Sequence, residues 1–561
     1  MAKLATTDST IQTEPTLLQS PKKLGILLVL SMALLIIILD TTLLNVSLES
    51  IIFDLHTDLQ GIQWVITGYS LTLAALTVTG GRLGDLFGRR RMFSLGAIIF
   101  AIGSFITSIS HSVPMMIAGE AIIEGIGAAL MMPATTSLLI SNFKGKDRAI
   151  GFGIWGAVAG AASAIGPVVG GFLSTNYSWR WGFRINIIVA ALLLVGTLII
   201  PESHDEEEKP ALDVPGVFLS AAGLLALVYG LIEASTYGWW TAKQAFVLWG
   251  HTLLTHYSVT PFAVLVGLLI LAGFIAWELK VDRDGRTPLV SMKLFENRQF
   301  ASGVLLTTVM SLGQAGIIFS LPVFLETVRG LDALHTGYAL LPMSIALLIV
   351  APLGSTLAGK VRPKPIVQLG LLINMISTIV LAYAYTVHAT ASNFILPLAL
   401  FGVGMGLVFS QLSNFTLSAV SPEESGEASG VNSTLRTVGS SLGSAIIGAV
   451  LLSAISANLT TGVQASTIIP TINKPAITQA LATQTSAVQS GETVQTATKV
   501  PVQITNEISR ITHQATADAD RTATLFGLLF GILGLLVSTL LPNLKATDLI
   551  AQKGKSVAAG H

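Results

Sequence analysis

Residues 24–48 form an apolar run with one ionisable side chain, Asp40. About 20 such residues in an α-helix cross the roughly 30 Å hydrocarbon core of a bilayer. In that core only a helix or a closed barrel satisfies every backbone N–H and C=O. A run of this kind constrains the fold more than any motif does, and it recurs along the chain. Spans are expected at 24–48, 62–81, 92–110, 115–139, 150–173 and 185–201, then at 214–234 and 262–279. Six more are expected at 300–325, 336–357, 366–386, 394–419, 430–454 and 523–542. The chain thus reads as an all-α polytopic membrane protein with 14 transmembrane helices. Composition agrees: 52% of the 561 residues are hydrophobic and 11% are charged, against roughly a quarter charged in soluble proteins.

An even number of spans puts both termini on one face, and Lys and Arg choose the face. With both termini inside, the cytoplasmic segments hold Lys22, Lys23, Arg82, Arg89, Arg90, Arg91, Lys144, Lys146, Arg148, Lys280, Arg283 and Arg286, among others. The outer segments keep Arg180, Arg184, Lys243, Arg329, Lys474, Lys499, Arg510 and Arg521, of which the last four lie in one long loop. A multi-pass protein of the plasma or inner membrane is expected, with cytoplasmic termini. No small-residue cleavage site follows the polar leader, so the first helix is expected to be retained. The formal charge is zero, which gives no bulk electrostatic case for nucleic acid. There is no cysteine, which excludes thiolate metal sites and disulfides.

The polar segments divide the chain. Residues 1–23 are a cytoplasmic leader and 24–201 an N-terminal six-helix bundle. An acidic connector, "PESHDEEEKPALD", opens a region 202–298 that adds two extra helices. Residues 299–543 make a C-terminal six-helix bundle with a long outer loop at 456–522, expected as an ordered hairpin or a cap, and 544–561 are a cytoplasmic tail. "GGRLGDLFGRRRMFSLG" and "LGSTLAGKVRPKPIVQLG" follow the second span of each six-helix half. Such a faint repeat suits a transporter built from parallel halves, with its site between them near the midplane.

Three patterns resemble a known family. "GRLGDLFGRRR" (81–91) resembles the cytoplasmic loop signature of the major facilitator superfamily, and "GAVAGAASAIGPVVGG" (156–171) its antiporter signature. "LDTTLLNVSL" (39–48) with "SWRWGFRIN" (178–186) is similar to the fourteen-helix drug:proton antiporter branch, including its quaternary-ammonium exporters. The resemblance implies a latch between the halves formed by Gly81, Asp85, Gly88, Arg89 and Arg90. Glycine at 81, 84 and 88 suits a tight turn, and Asp85 can cap a helix or pair with Arg89. In the fifth helix, Gly156, Gly160, Gly166, Gly170 and Gly171 permit close helix approach and Pro167 a bend. In the family this pattern marks exporters.

Ionisable groups inside spans are functional candidates by default. Asp40 matches an aspartate that the family links to proton coupling; where many relatives then have proline, this chain has Glu49. Glu120 and Glu124 stand where the family usually carries arginine and often glutamine. Four residues apart, they share a helix face and repel if both are charged, so the pair is expected to carry protons or to face a cation. Glu326 is a fourth candidate, and Glu233 a weaker one. Arg184 is a candidate charge partner that would make the glutamates structural, and Arg436 is a candidate for closing the cytoplasmic gate or balancing an acid, with packing as the alternative. Trp64, Tyr69, Trp155 and Phe409 are candidate aromatic contacts for a cation.

The leading expectation is a proton-coupled multidrug exporter of lipophilic cationic drugs and dyes, acting as a monomer in the lipid bilayer. It needs no cofactor beyond the proton gradient and no metal. The runner-up is a specific exporter or lipid flippase of the same fold. No "GxxxxGK[ST]" phosphate loop is present for ATP and no HExxH helix for metal catalysis, so an enzyme is not expected. A non-transporting sensor is disfavoured by the retained signatures.

Overall fold

The computed structural model describes residues 20–57, 59–202, 212–242, 245–248, 251–357, 361–421, 424–478 and 502–543. The expected leader, the middle of the acidic connector, part of the outer loop and the tail lie outside the described residues. Fourteen long helices run through the described ones. The first six are α1 (Pro21–Val46), α2 (Leu59–Phe87), α3 (Arg89–Ser108), α4 (Val113–Asn142), α5 (Gly145–Asn176) and α6 (Arg180–Gly196). Then come α7 (Val214–Tyr237), a hairpin of β1 (Phe246–Leu248) and β2 (His251–Leu254), and α8 (Thr260–Arg283). The last six are α9 (Arg298–Thr327), α10 (Ala333–Thr356), α11 (Pro363–Ala384), α12 (Ala391–Leu417), α13 (Ser425–Ala465) and α14 (Val502–Thr539). All but α2 are long and apolar enough to cross a membrane. The 29-residue α2 has the length, but Arg82, Asp85 and its polar threonines and glutamines lower its hydropathy.

Local chemistry sets the helix starts. Ser20 caps α1 ahead of Pro21, and the side chains of Asp213, Asn297 and Asp332 accept backbone N–H groups at the starts of α7, α9 and α10. These side chains satisfy donors that a helix start leaves orphaned. The exposed Asp332 carboxyl is held below the usual carboxylate range by the backbone N–H of His335.

Each six-helix set has its own apolar core. In the first it centres on Leu30, Leu34, Phe93, Phe100 and Phe152, and in the second on Phe324, Leu371, Phe394, Val408 and Phe415. The extra pair docks at the side. α7 packs on α2 through Leu71, Ala74 and Val228, with the Trp64 and Tyr229 rings 6.1 Å apart. Outside it, α8 leaves Phe262, Leu265, Leu268 and Leu269 exposed, as a lipid-facing helix does.

Two expectations are corrected. First, α2 does not end at 81. It runs on to Phe87 with Gly81 and Gly84 inside it, and the chain turns at Gly88, whose φ is +103°. That backbone region favours glycine. Second, the helices flanking the outer segment extend well beyond the spans expected at 430–454 and 523–542. α13 has 41 residues and α14 has 38. At about 1.5 Å per residue both reach ~60 Å, twice the hydrocarbon core. Beyond it they pack as two helical arms through Ile455, Leu459, Val463, Ile504, Ile511 and Ala515.

Glycine sets how closely the helices approach. A Cβ at Gly443 of α13 would run into the backbone carbonyl of Leu312 on α9, with the Leu312 Cα only 2.8 Å away, whereas a Cβ at Gly273 of α8 meets nothing within 4 Å. Gly443→Ala is therefore expected to cost about 1–3 kcal/mol through overpacking, while Gly273→Ala leaves stability unchanged or slightly raised. Thermal unfolding of the two purified variants tests this; equal melting temperatures would contradict the packing assigned to the α9–α13 seam.

Candidate functional site

The site starts from α4. Over Ile117–Glu124 the helix widens to a π-helical coil, closed by a hydrogen bond from the Gly125 N–H back to the Glu120 carbonyl. Such coils are rare and recur at functional sites. The coil is gripped by close neighbours: Gly103 of α3 lies against the Glu124 backbone, and Gly68 of α2 against Ala121. Glu120 and Glu124 both stay on the inner face, 1% and 0% exposed.

Asp40 of α1 is also fully buried and completes a cluster. One carboxylate oxygen from each of Asp40, Glu120 and Glu124 lies within 4.8 Å of the others. Asn186 of α6 donates its carboxamide N–H to Asp40 Oδ1 at 2.7 Å and to Glu124 Oε1 at 3.3 Å. Ser104 of α3 donates to Glu124 Oε1. Tyr69 of α2 faces the same three acids. Its hydroxyl, Asn186 Oδ1 and one further oxygen on each acid have no hydrogen-bond partner.

Magnitudes decide the charge state. Two unit charges within 4.8 Å repel by about 3.5 kcal/mol even at an effective dielectric of 20. Three ionised acids therefore cost roughly 10 kcal/mol before any desolvation. Protonating one ordinary carboxyl at pH 7 costs about 4 kcal/mol. Among the described residues no Lys or Arg pairs with any of the three acids. The cluster accordingly holds protons. Its donors are all oxygen, which suits protons and hard cations and not soft metals.

The other candidates lie elsewhere. Arg184 is exposed and sits over the Trp181 ring at 5.1 Å. It leads Asn186 by two residues, so the two lie on opposite sides of α6. Arg436 donates toward Met132 Sδ at 3.9 Å. Neither arginine reaches the acids, which corrects both expected pairings. Glu326 is exposed near the end of α9, away from the cluster, and Glu233 is buried on α7. Trp155 and Phe409 line a cleft between the two halves, together with Thr136, Asn432 and Arg436. Trp64 is partly exposed on Tyr229. Sequence reasoning missed Asn186 and Ser104. The signal was present for Asn186, a polar residue at the inner phase of α6.

The predicted latch residues gather at the other end of α2. Asp85 takes Arg89 Nε and Nη2 at 3.1 and 2.9 Å. It also accepts the backbone N–H groups of Gly426 and Glu427, the first turn of α13, at 3.1 and 2.9 Å. A carboxylate at a helix N-terminus meets orphan donors and the positive dipole end. Gly81 lies against the Gly426 backbone. Arg82 faces Glu427 at 3.8 Å, and the Arg90 N–H is bonded to Glu202. Further contacts join the halves at Arg148 and Asn414, 2.9 Å apart.

The residues of the fifth-helix pattern face two partners. Gly166 lies against Thr42 of α1, Gly160 against Leu347 and Gly171 against Leu334 of α10, while Pro167 abuts Gly337. Gly156 touches Phe409 of α12, and Gly170 is buried. α5 is thus packed against the acid-bearing helix of one half and against the opposite half.

The sequence profile of the Major Facilitator Superfamily matches residues 30–444. The chain belongs to that family. It is 29% identical over 430 residues to the tetracenomycin C resistance and export protein of Streptomyces glaucescens, covering 76% of each chain. It is 29% identical over 434 residues to the multidrug resistance protein Stp of Mycobacterium tuberculosis, covering 77% of this chain and 76% of Stp. Among solved structures, the fold is similar to the proton:xylose symporter XylE at TM-score 0.55 and 14% identity, covering 94% of this chain and 98% of that one. The protein is a multi-pass membrane transporter and not an enzyme, and the Streptomyces and Mycobacterium relatives are named for drug resistance, the first also for export.

Asp85 gives a direct test of the latch. Asp85→Ala strips the acceptor from two helix-start amides, so the amides of Gly426 and Glu427 are expected to exchange with deuterium at least about tenfold faster, as follows from losing a charge-assisted bond. Asp85→Asn, which keeps an acceptor oxygen, should lie between. Unchanged exchange in Asp85→Ala would remove Asp85 as the cap of α13.

Proposed function

We propose that this transporter is a proton-coupled multidrug efflux antiporter that exports lipophilic cationic compounds by alternating access. The observation that carries the reading is the trio Asp40, Glu120 and Glu124, buried together without a basic partner. Such a group takes up protons when closed from water and gives them up when a cation or water arrives. Protons entering from outside neutralise the acids and displace the drug outward. On return to the cytoplasmic face the acids lose protons and regain affinity for a cation. Trp155 and Phe409 in the cleft offer ring faces to that cation. Arg436 lines the same cleft and disfavours a cation directly beside it. The Asp85 latch closes the cytoplasmic seam and opens in the alternate state. The machine works as a monomer in the cell membrane, with cytoplasmic termini and the proton gradient as its only energy source.

Inverted membrane vesicles with an acid interior test this. Wild type is expected to accumulate ethidium when the gradient is imposed and to stop when it is collapsed. Asp40→Asn and Glu124→Gln should lower the initial rate at least tenfold, and Glu120→Gln should alter its dependence on the gradient. If both glutamate variants match wild type while Asp40→Asn fails, the pair is structural. If wild type moves no cation under a proton gradient but does so under a sodium gradient, the coupling ion assigned here is wrong.

A further inference from the structure

The C-terminal half contains a second buried acid that nothing above uses. Asp520 of α14 is 0% exposed, and neither carboxyl oxygen has a hydrogen-bond partner. Three hydroxyls from three helices lie in the same condition: Ser320 of α9, Tyr385 at the end of α11, and Thr524, one turn along α14. They are 1%, 3% and 3% exposed. The Tyr385 hydroxyl lies beside Ser320 and Thr524 and within electrostatic reach of Asp520. The Tyr385 ring packs with Phe324 at 4.9 Å and Phe394 at 5.7 Å, which encloses the group in aromatic surface.

We propose that Asp520 is a second proton-binding site, carrying one further proton per transport cycle. The proposal rests on the proton-coupled reading above. A lone carboxylate in apolar surroundings is costly, so Asp520 holds a proton in this arrangement. Its neighbours also provide for the ionised form. Ser320 and Thr524 lie beside the Tyr385 hydroxyl, none of the three is committed to a well-formed hydrogen bond, and a hydroxyl rotates to suit an acceptor. A site equipped for both states exchanges its proton; a purely structural carboxyl would have fixed partners. Proton loss leaves a carboxylate held by hydroxyl donors, and proton gain restores the neutral acid.

Among the described residues no charged side chain forms an ion pair with Asp520; on its own helix His513 stands two turns before it on the same face. On α14, Arg521 turns to the Tyr383 ring at 4.6 Å, and the exposed Asp518 accepts from Gln514. On α9, Glu326 and Arg329 are exposed toward its far end. Residues 437–465 of α13 contain no ionisable side chain. From α11, Tyr385 is the titratable group that faces Asp520. One to two turns further into the bundle, the same three helices line a cavity with Gln314, Asn374 and Thr378 on its wall. Asp520 itself is not on that wall; it lies two turns before Gly527, which is on it, in the half opposite the acid trio.

Infrared titration of the full-length protein in liposomes is the deciding measurement. Wild type is expected to show a protonated-carboxyl band that disappears as pH rises, and Asp520→Asn should lack one carboxyl of that signal. Tyr385→Phe leaves Asp520 in place but removes a donor to its ionised form, so the band should persist to higher pH. This variant decides the matter if Asp520→Asn does not fold. In proteoliposomes, the limiting ethidium accumulation at a gradient of about one pH unit should fall about tenfold in Asp520→Asn, because one proton fewer per cycle is worth about 1.4 kcal/mol there. Superimposable titrations for wild type and both variants overturn the proposal. So does a titrating band with an unchanged accumulation limit, because the proton is then bound but not carried. If wild type moves no ethidium, the antiporter reading fails, while the infrared titration still decides whether Asp520 exchanges a proton.

Discussion

Three carboxyl groups share one water-excluded space between α1, α4 and α6, and they cannot all be charged at once. Much of the N-terminal half is arranged around that constraint. Asn186 and Ser104 supply donors without supplying charge. The π-helical coil and the flanking glycines bring α4 close to α2 and α3, so that both glutamates point inward. A basic partner would have settled the charge permanently. Its absence leaves the number of protons open to whatever enters the space.

The two halves meet differently at different depths. At the basic face the contact is polar and directional: a carboxylate on one half caps the first helical turn of the other. Deeper in, α5 lies along α10 with glycine and proline at the points of closest approach. Small residues give a flat surface with little interdigitation, which suits helices that must slide or tilt. The capped end gives specificity and the smooth seam gives mobility, and α5 also touches the helix that carries Asp40. A change at the acids and a change at the seam are thus mechanically adjacent.

How much of this could be read in advance follows from what hydropathy measures. Apart from α13 and α14, the apolar runs located the helices to within about six residues, because a bilayer span is a property of composition. The arms of α13 and α14 escaped because their contacts rest on Ile455, Leu459 and Val463 at four-residue spacing among Thr, Ser and Ala, a pattern too dilute for a span. Asp520 escaped because it lies three residues ahead of the expected span at 523, beside Asp518 and Arg521, where charge reads as solvated. Asp40, Glu120 and Glu124 were legible singly as acids in apolar runs; that they converge needed the fold. Arg184 misled because its residue type suggested a partner for the glutamates, while its helical phase puts it on the outer side. Gly81 and Gly84 misled likewise: glycine suits turns and close approach equally, and sequence does not say which is in use.

One helix touches every level described above. α13 begins at the Asp85 cap, passes Arg436 in the central cleft, and ends at Val463 in the outer arm. Its 41 residues contain no proline, whereas α5, α9 and α12 each carry one inside the helix and α10 carries two. Without that common source of kinks, it behaves as a beam. For a beam ~60 Å long, a tilt of about 10° about its middle carries each end ~5 Å in opposite directions. The turn capped by Asp85 and the outer arm belong to this one helix, so a rigid tilt of it would displace both ends together.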